Sequence, residues 1–327
     1  MYTSNLANNT HKESIEKGTV ILNAMDDVMK NTQRAEDMNL TLDEFITITN
    51  AIVDIADDIG MAILESTEEG TGSITLNSTS LVLHVEKDIA SEICNSSIQL
   101  SPRSGFEIPA IDSFLNIVPE TTLYLTSFRF GSNLFSKTQE TGFFHDILSL
   151  SLKFQNGSDV EANLKDDLRV WLGKQYTHPE KQVTVVGYYD PDEDMTFYTW
   201  QIESLRVQHA VQIKLISNLH LIENLTLCMT TSNVSATQRY CEFSALFEFD
   251  ERTTHIFIPE SEITQEGDHI FSFSLANDLS RTLNFTMDAE QRGCRSMKDS
   301  ASEWHQDGCK VSPMSNINYT LCLCNHL

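Results

Sequence analysis

The hydrophobic positions of this chain change period about a third of the way along it. In the first hundred residues they recur every three or four positions. One run places Ile15, Ile21, Leu22, Met25, Val28 and Met29 at helical spacing, with Lys and Asp between them. A second follows Thr41-Leu42-Asp43-Glu44, which has the form of a capping box, Thr41 offering its hydroxyl to the third helical amide and Glu44 reaching back. That box opens a stripe of Phe45, Ile48, Ile52, Ile55 and Ile59. A third stripe, Val82, Val85, Ile89 and Ile93, begins after Ser78-Thr79-Ser80. The three stripes predict three helices, broken by a loop at Glu68–Ser73, with their Met and Ile side chains as the core of a small bundle. All seven prolines lie at or after Pro102, so none interrupts a helix in this third.

After Pro109 the period becomes 2, the mark of strands with one face buried. Leu148, Leu150, Leu152 and Phe154 alternate with Ser149, Ser151 and Lys153. Val211, Ile213 and Leu215 repeat the pattern, as do Leu225 with Leu227, Ile256 with Ile258, Phe271, Phe273 and Leu275, and Leu283, Phe285 and Met287. Turn material separates them at Gln155-Asn156-Gly157, Asp190-Pro191-Asp192 and Glu266-Gly267-Asp268. Many short strands with no long helix between them predict an antiparallel β-sandwich. The expected fold class is therefore α+β, a helical subdomain over residues 1–108 followed by a large antiparallel β-sandwich over 109–327. No repeat of fixed period is present.

Charge then removes function classes. The 327 residues carry 22 Lys plus Arg against 47 Asp plus Glu, a formal charge of −25. Nucleic-acid binders need a basic footprint, and this chain has the opposite, so no nucleic-acid partner is expected. Anionic membrane surfaces are disfavoured for the same reason. With 40 % hydrophobic residues and 17 Phe, the acidity is not that of a disordered tail. Of that charge −12 falls in residues 1 to 110, where 18 acidic and 6 basic residues make a solvated helical surface.

Compartment follows from sequons and cysteines. Nine N-x-Ser/Thr sequons begin at Asn8, Asn39, Asn77, Asn95, Asn156, Asn224, Asn233, Asn284 and Asn318. Such an excess points to the secretory pathway, where disulfides form. No stretch reaches the length of a membrane span, and the first 20 residues lack the apolar core of a signal peptide. The chain is read as an excised extracellular piece of something longer. Of seven cysteines, four crowd into the last 34 residues at Cys294, Cys309, Cys322 and Cys324. Cys228 and Cys241 are spaced to close a hairpin around Asn233, the alternative being a bond to Cys94. Seven is odd, so one thiol is free or intermolecular, and Cys94, at the end of the third expected helix, is the choice.

Familiar catalytic signatures are missing: there is no GxSxG elbow, no phosphate loop ending in Lys, no HExxH pair. No cofactor is expected. The turn Asp190-Pro191-Asp192-Glu193-Asp194 offers oxygen ligands for calcium but lacks EF-hand spacing, and reads as a solvated turn. Trp171 and Trp200 read as core anchors. The informative segment is C-terminal: Cys294, Trp304, Gly308-Cys309, then Cys322-Leu323-Cys324-Asn325-His326-Leu327. Zinc knuckles have C-x₂₋₄-C spacing, whereas a C-x-C on a strand puts both sulfurs on one face roughly 6.5 Å apart, placed to bridge two neighbouring segments. Disulfides are the better reading. They would pin the last strand at several points.

That order of Cys, Trp, Gly-Cys and Cys-x-Cys-x-His-Leu resembles the GPCR proteolysis site, the C-terminal part of the GAIN domain of adhesion receptors and polycystins. The motif spans 294–327, and the helices followed by strands resemble the rest of a GAIN domain. Gly105-Phe106-Glu107-Ile108-Pro109 and the stretch from Leu148 to Gly157 look more like the polycystin-1 and sperm receptor-for-egg-jelly group than like an adhesion receptor. The resemblance implies pairing of Cys294 with Cys322 and of Cys309 with Cys324. It also implies cleavage of the chain's own backbone between Leu327 and a following Ser or Thr by an N-to-O acyl shift. On that resemblance His326 would be the base and Leu327 would supply the scissile carbonyl. Period 2 puts His326 and the residue two positions on along one face of a strand, and neutral imidazole suits extracellular pH. The end of the chain at Leu327 is then read as the product of that cut. The implied partners are the chain's own C-terminal fragment, held as the next strand, and the membrane-spanning remainder of a receptor or ion-channel subunit. The implied location is the extracellular side of a plasma or ciliary membrane. The reaction is a single turnover in cis. The competing readings are an uncleaved adhesive or ligand-binding glycoprotein ectodomain of adhesion-receptor type and, third, a zinc-stabilised module.

Overall fold

The absence of proline from the first third leaves two long helices uninterrupted, α1 (Tyr2–Arg34) and α2 (Leu42–Glu65). The computed structural model describes residues 2–34, 42–114, 116–131, 146–160, 163–173, 183–190, 195–218, 224–231, 241, 243–248, 252–276, 284–296, 308–316 and 318–326. Thr41, Asn39, Asn233, residues 191–194, Leu283, Trp304 and Leu327 lie outside the described residues. So do the side chains of Asn8, Glu44, Phe45, Asp190 and Asn224. Leu22, Met25 and Met29 of α1 meet Ile52, Ile59 and Ile63 of α2 in a shared core, while Ile21, Val28 and Ile55 face solvent.

The third stripe is not a helix. Residues 74–89 form a hairpin, β1 (Ile74–Asn77) and β2 (Leu81–Ile89), and only Ala90–Ile93 turns helical, as the single-turn α3. Ser78-Thr79-Ser80 makes the hairpin turn rather than a helix start, with Ser78 N–H donating to Leu81 O at 2.9 Å. The physical reason is two-sided burial. Leu81, Leu83 and Val85 pack against the helices and Val82 and His84 are buried as well, so the strand shows no alternation and its apolar residues fit a helical spacing by coincidence.

The strands that follow are β3 (Ser97–Ser101), β4 (Ser104–Glu107), β5 (Thr122–Phe130), β6 (Ile147–Phe154), β7 (Asn163–Gly173), β8 (Val183–Asp190), β9 (Met195–Leu205), β10 (Ala210–Ser217), β11 (Asn224–Thr231), β12 (Phe243–Glu248), β13 (Thr253–Ile258), β14 (Gly267–Ala276), β15 (Phe285–Arg292), β16 (Cys309–Val311) and β17 (Tyr319–His326). The pairs among the described residues are antiparallel, and the fold is α+β with sheet predominating. Contacts divide the chain into two compact units, Met1–Tyr176 with Arg295–Leu327, and Thr177–Cys294. The expected boundary near residue 108 falls inside the first unit, because strands on both sides of it share sheets.

In the first unit, the helix pair covers one face of the sheet β1-β2-β5-β6. Tyr124, Phe128 and Phe130 of β5 fill that interface, and each such fully buried side chain contributes about 1.5–3 kcal/mol. A second sheet runs β16-β17-β7-β4-β3. One polar cluster ties the two sheets together. Asp146, buried just before β6, accepts hydrogen bonds from Arg129 Nε of β5 at 2.7 Å and from Arg129 Nη2 at 3.2 Å. It also accepts the Ser104 hydroxyl of β4, which itself takes the Gly173 N–H of β7 at 3.0 Å. Gly173 is obligatory there, since a Cβ would stand 2.5 Å from Ser104 Oγ.

The second unit is one sheet, β12-β11-β14-β9-β8-β15-β10-β13. Strand β8 changes partner midway: Val183 to Val185 pair with β15, and Val186 to Asp190 pair with β9. The strands of this sheet share one core, in which Trp200 stacks on Phe271 at 5.8 Å and Tyr198 on Phe273 at 5.2 Å. Trp200 is thus a core anchor, whereas Trp171 on β7 is half-buried.

Candidate functional site at the end of β17

The sequence Tyr-Thr-Leu-Cys-Leu-Cys-Asn-His forms a strand because it is rich in β-formers and hydrogen-bonded on both sides, to β16 and to β7. Cys322 and Cys324 are two positions apart, so both point to the same buried face. Cys309 is the direct partner of Cys324 in the register, and the two are disulfide-bonded with Cα atoms 4.1 Å apart. Cys294 and Cys322 are disulfide-bonded too. Cys228 and Cys241 are bonded with Cα atoms 5.3 Å apart, in the second unit. Cys94, just after α3, is a free buried thiol whose pKa burial pushes up to about 11, which leaves it protonated and unreactive at neutral pH.

Immediately beyond the Cys309–Cys324 bridge the ladder to β7 slips. Cys324 pairs with Leu168, but His326 pairs with Asn163, so the strand end is displaced by a bulge. His326 is half-buried there. Its Nε2 lies 3.2 Å from the Ser296 hydroxyl and its Nδ1 3.3 Å from Asn325 Oδ1. An amide oxygen only accepts, so in the tautomer with the proton on Nδ1 the ring donates to Asn325 and Nε2 accepts the Ser296 O–H. Beneath the ring is Gly308, with φ +80°. A Cβ at 308 would sit 2.5 Å from His326 Nδ1. Gly308 O also accepts the Asn325 N–H at 2.8 Å, so the backbone on which the imidazole rests is locked to the strand that carries it.

The expected site residues are brought together in part. His326, Gly308, Cys309 and Cys324 form one cluster. Ser296 lies within the 294–327 span but is none of its Cys, Trp, Gly or His positions, and 30 residues separate it from His326, so only the folded chain puts it at the ring. Gly308 was visible as part of the motif, but its service as a shelf for the imidazole was not. Of the sequons, Asn77, Asn95, Asn156, Asn284 and Asn318 are exposed and open to modification. Among the described residues no group of three or more His, Cys, Asp or Glu is arranged to hold a metal, and no helix is long and apolar enough to cross a membrane. The disulfide set fits an extracellular protein.

No family model matches the chain, and no curated protein does. Solved structures are similar at a low level, two of them as follows. A CBM4 structure shares 8 % identity over 45 % of this chain and 74 % of its own, with a TM-score of 0.21. The collagen-binding domain of the surface protein RspB of Erysipelothrix rhusiopathiae shares 9 % identity over 77 % and 80 %, with a TM-score of 0.22. Neither likeness is close enough to carry an argument about this chain.

Proposed function

We propose that this chain is the N-terminal part of a self-cleaving extracellular module of the GAIN type, most like that of the polycystin and sperm receptor-for-egg-jelly group. The helical and β-sandwich subdomains of such a module end at the proteolysis site, and the peptide after Leu327 is cut. The hydroxyl of the following residue attacks the Leu327 carbonyl carbon and gives its proton to His326. The C–N bond then breaks as the nitrogen takes a proton, leaving an ester and a free amine. Water hydrolyses the ester to the Leu327 carboxylate and restores the hydroxyl. No cofactor takes part.

The observation that carries this reading is the pose of His326. Its Nε2 stands within hydrogen-bond distance of a hydroxyl, that of Ser296 at 3.2 Å, on a strand end clamped by the adjacent Cys309–Cys324 bridge. A positioned general base of this kind accelerates proton transfer by about 10²–10⁴-fold. The cut strand stays in place as a further strand of the sheet, without a covalent link. The module stands outside the membrane-spanning remainder of a receptor or channel subunit, and the cut belongs to its maturation and assembly.

The test uses the secreted ectodomain extended through the residues that follow Leu327. Wild type should give two polypeptides on a denaturing gel that co-elute under native conditions, and His326→Ala one. A single uncut wild-type chain, or a His326→Ala variant cut as fully as wild type, refutes the reading. The former outcome leaves the adhesive ectodomain of a glycoprotein receptor.

A further inference from the structure

Strand β8 ends in Tyr188-Tyr189-Asp190 and returns as β9 after Pro191-Asp192-Glu193-Asp194. Gly187, Tyr188 and Tyr189 are all exposed, Tyr188 at 66 % and Tyr189 at 44 %. Neighbours on a strand point to opposite faces, so both faces of this hairpin end are open to solvent. Beyond Val185 the described pairing of β8 runs along one side only, to β9. Two large aromatics this exposed at adjacent positions present their phenols to solvent, where another protein can reach them.

The sequence around them has a single sign of charge. Between Lys181 and Arg206 there is no Lys, Arg or His, while Asp190, Asp192, Glu193, Asp194 and Glu203 are acidic. No cysteine and no sequon falls between Asn156 and Asn224. An exposed phenol in an acidic segment of a secreted chain is what a tyrosine sulfotransferase requires, because its cleft must admit the ring and bind the flanking carboxylates with basic groups.

We propose that Tyr188 and Tyr189 are sulfated during secretion. The phenol oxygen attacks the sulfur of 3′-phosphoadenosine 5′-phosphosulfate and forms the new O–S bond. The S–O bond to the adenosine bisphosphate breaks, that group leaves with the electron pair, and the phenol proton passes to a base of the transferase. Each transfer adds a permanent negative charge to a tip that is already acidic, which suits it to a basic protein partner. The proposal rests on passage through the secretory pathway but not on self-cleavage.

The chain is secreted from mammalian cells grown with and without chlorate, which blocks formation of the sulfate donor, and digested with trypsin. Cleavage after Lys181 and Arg206 releases the peptide Gln182–Arg206, which has no internal site. Without chlorate it should carry the mass of one or two SO₃ groups, resistant to phosphatase, and with chlorate none. Tyr188→Phe should remove one increment, and Tyr188→Phe with Tyr189→Phe should remove all. Glycan on the Asn156 peptide of the same sample reports secretory passage. A glycosylated chain with only the unmodified peptide mass overturns the proposal, as does an increment that phosphatase removes or that survives the double substitution. An unglycosylated product overturns both this proposal and the secretory reading beneath it.

Discussion

Replacing Asp146 with Ala tests whether the polar cluster between the two sheets of the first unit holds them together. The carboxylate accepts both Arg129 bonds, at 2.7 Å and 3.2 Å, and the Ser104 hydroxyl. Its side chain is 5 % exposed and that of Arg129 22 %. Truncation strands a guanidinium in a mostly dry site and leaves Ser104 without its acceptor. Removing one member of a buried pair costs about 3–5 kcal/mol, and the water that Arg129 still reaches sets the expectation at about 3 kcal/mol. For a unit of this size that is a fall in Tm of about 6–12 °C. Guanidinium unfolding of the oxidised protein, followed by far-ultraviolet circular dichroism, reads the loss directly. Arg129→Met with Asp146→Leu removes both charges and should lie closer to wild type than Asp146→Ala alone, since no stranded charge remains. A loss below about 1 kcal/mol for Asp146→Ala, or a double variant worse than the sum of its parts, refutes the reasoning. A second readout is available because Gly173, held by the same Ser104, is the register partner of Tyr319 at the start of β17. On the proposed reading, weakening the cluster should therefore also slow cleavage after Leu327.

Two further perturbations have defined outcomes. Gly308→Ala forces a side chain into a left-handed conformation, at about 1–2 kcal/mol, and against the His326 ring. A misplacement of about 1 Å costs up to about 10²-fold in rate, so cleavage over a fixed time should fall far more than stability does. Full cleavage of this variant would remove Gly308 from the site. Asp26 of α1 is 3 % exposed. Burial raises its pKa, but bonds from Lys30 at 2.7 Å and the Ser80 N–H at 3.1 Å, with the Lys30 charge, outweigh this and leave it below 3.8. A folded pKa below the unfolded one means that its stabilisation is complete above the unfolded value and is lost as pH falls through the folded one. Asp26→Asn should be less stable than wild type at neutral pH, with the gap in denaturation midpoint closing as pH drops below 3.8. A gap independent of pH would show that the charge is not what matters.

Much of the fold was legible because burial was one-sided. The alternations Val211-Ile213-Leu215 and Phe271-Phe273-Leu275 are strands, β10 and β14, whose buried residues share one core. Helices α1 and α2 were legible for the same reason at period 3.6. Residues 81–89 were misread because their burial is two-sided, and a strand packed on both faces loses the alternation that identifies it. At the candidate site, the cysteines, Gly308 and His326 stood out by spacing, whereas Ser296 carried no signal.

The chain by itself determined its period, its acidity, its sequons and the close set of cysteines around His326, all properties of neighbours in sequence. Tertiary structure alone decided which hydroxyl meets the imidazole, that Arg129, Asp146, Ser104 and Gly173 join two sheets, and that residues 177–294 form a compact unit of their own. The difference is physical. Periodicity records how each residue partitions between water and a nearby core, while a hydrogen bond across 30 residues, such as that between Ser296 and His326, depends on how the intervening chain returns.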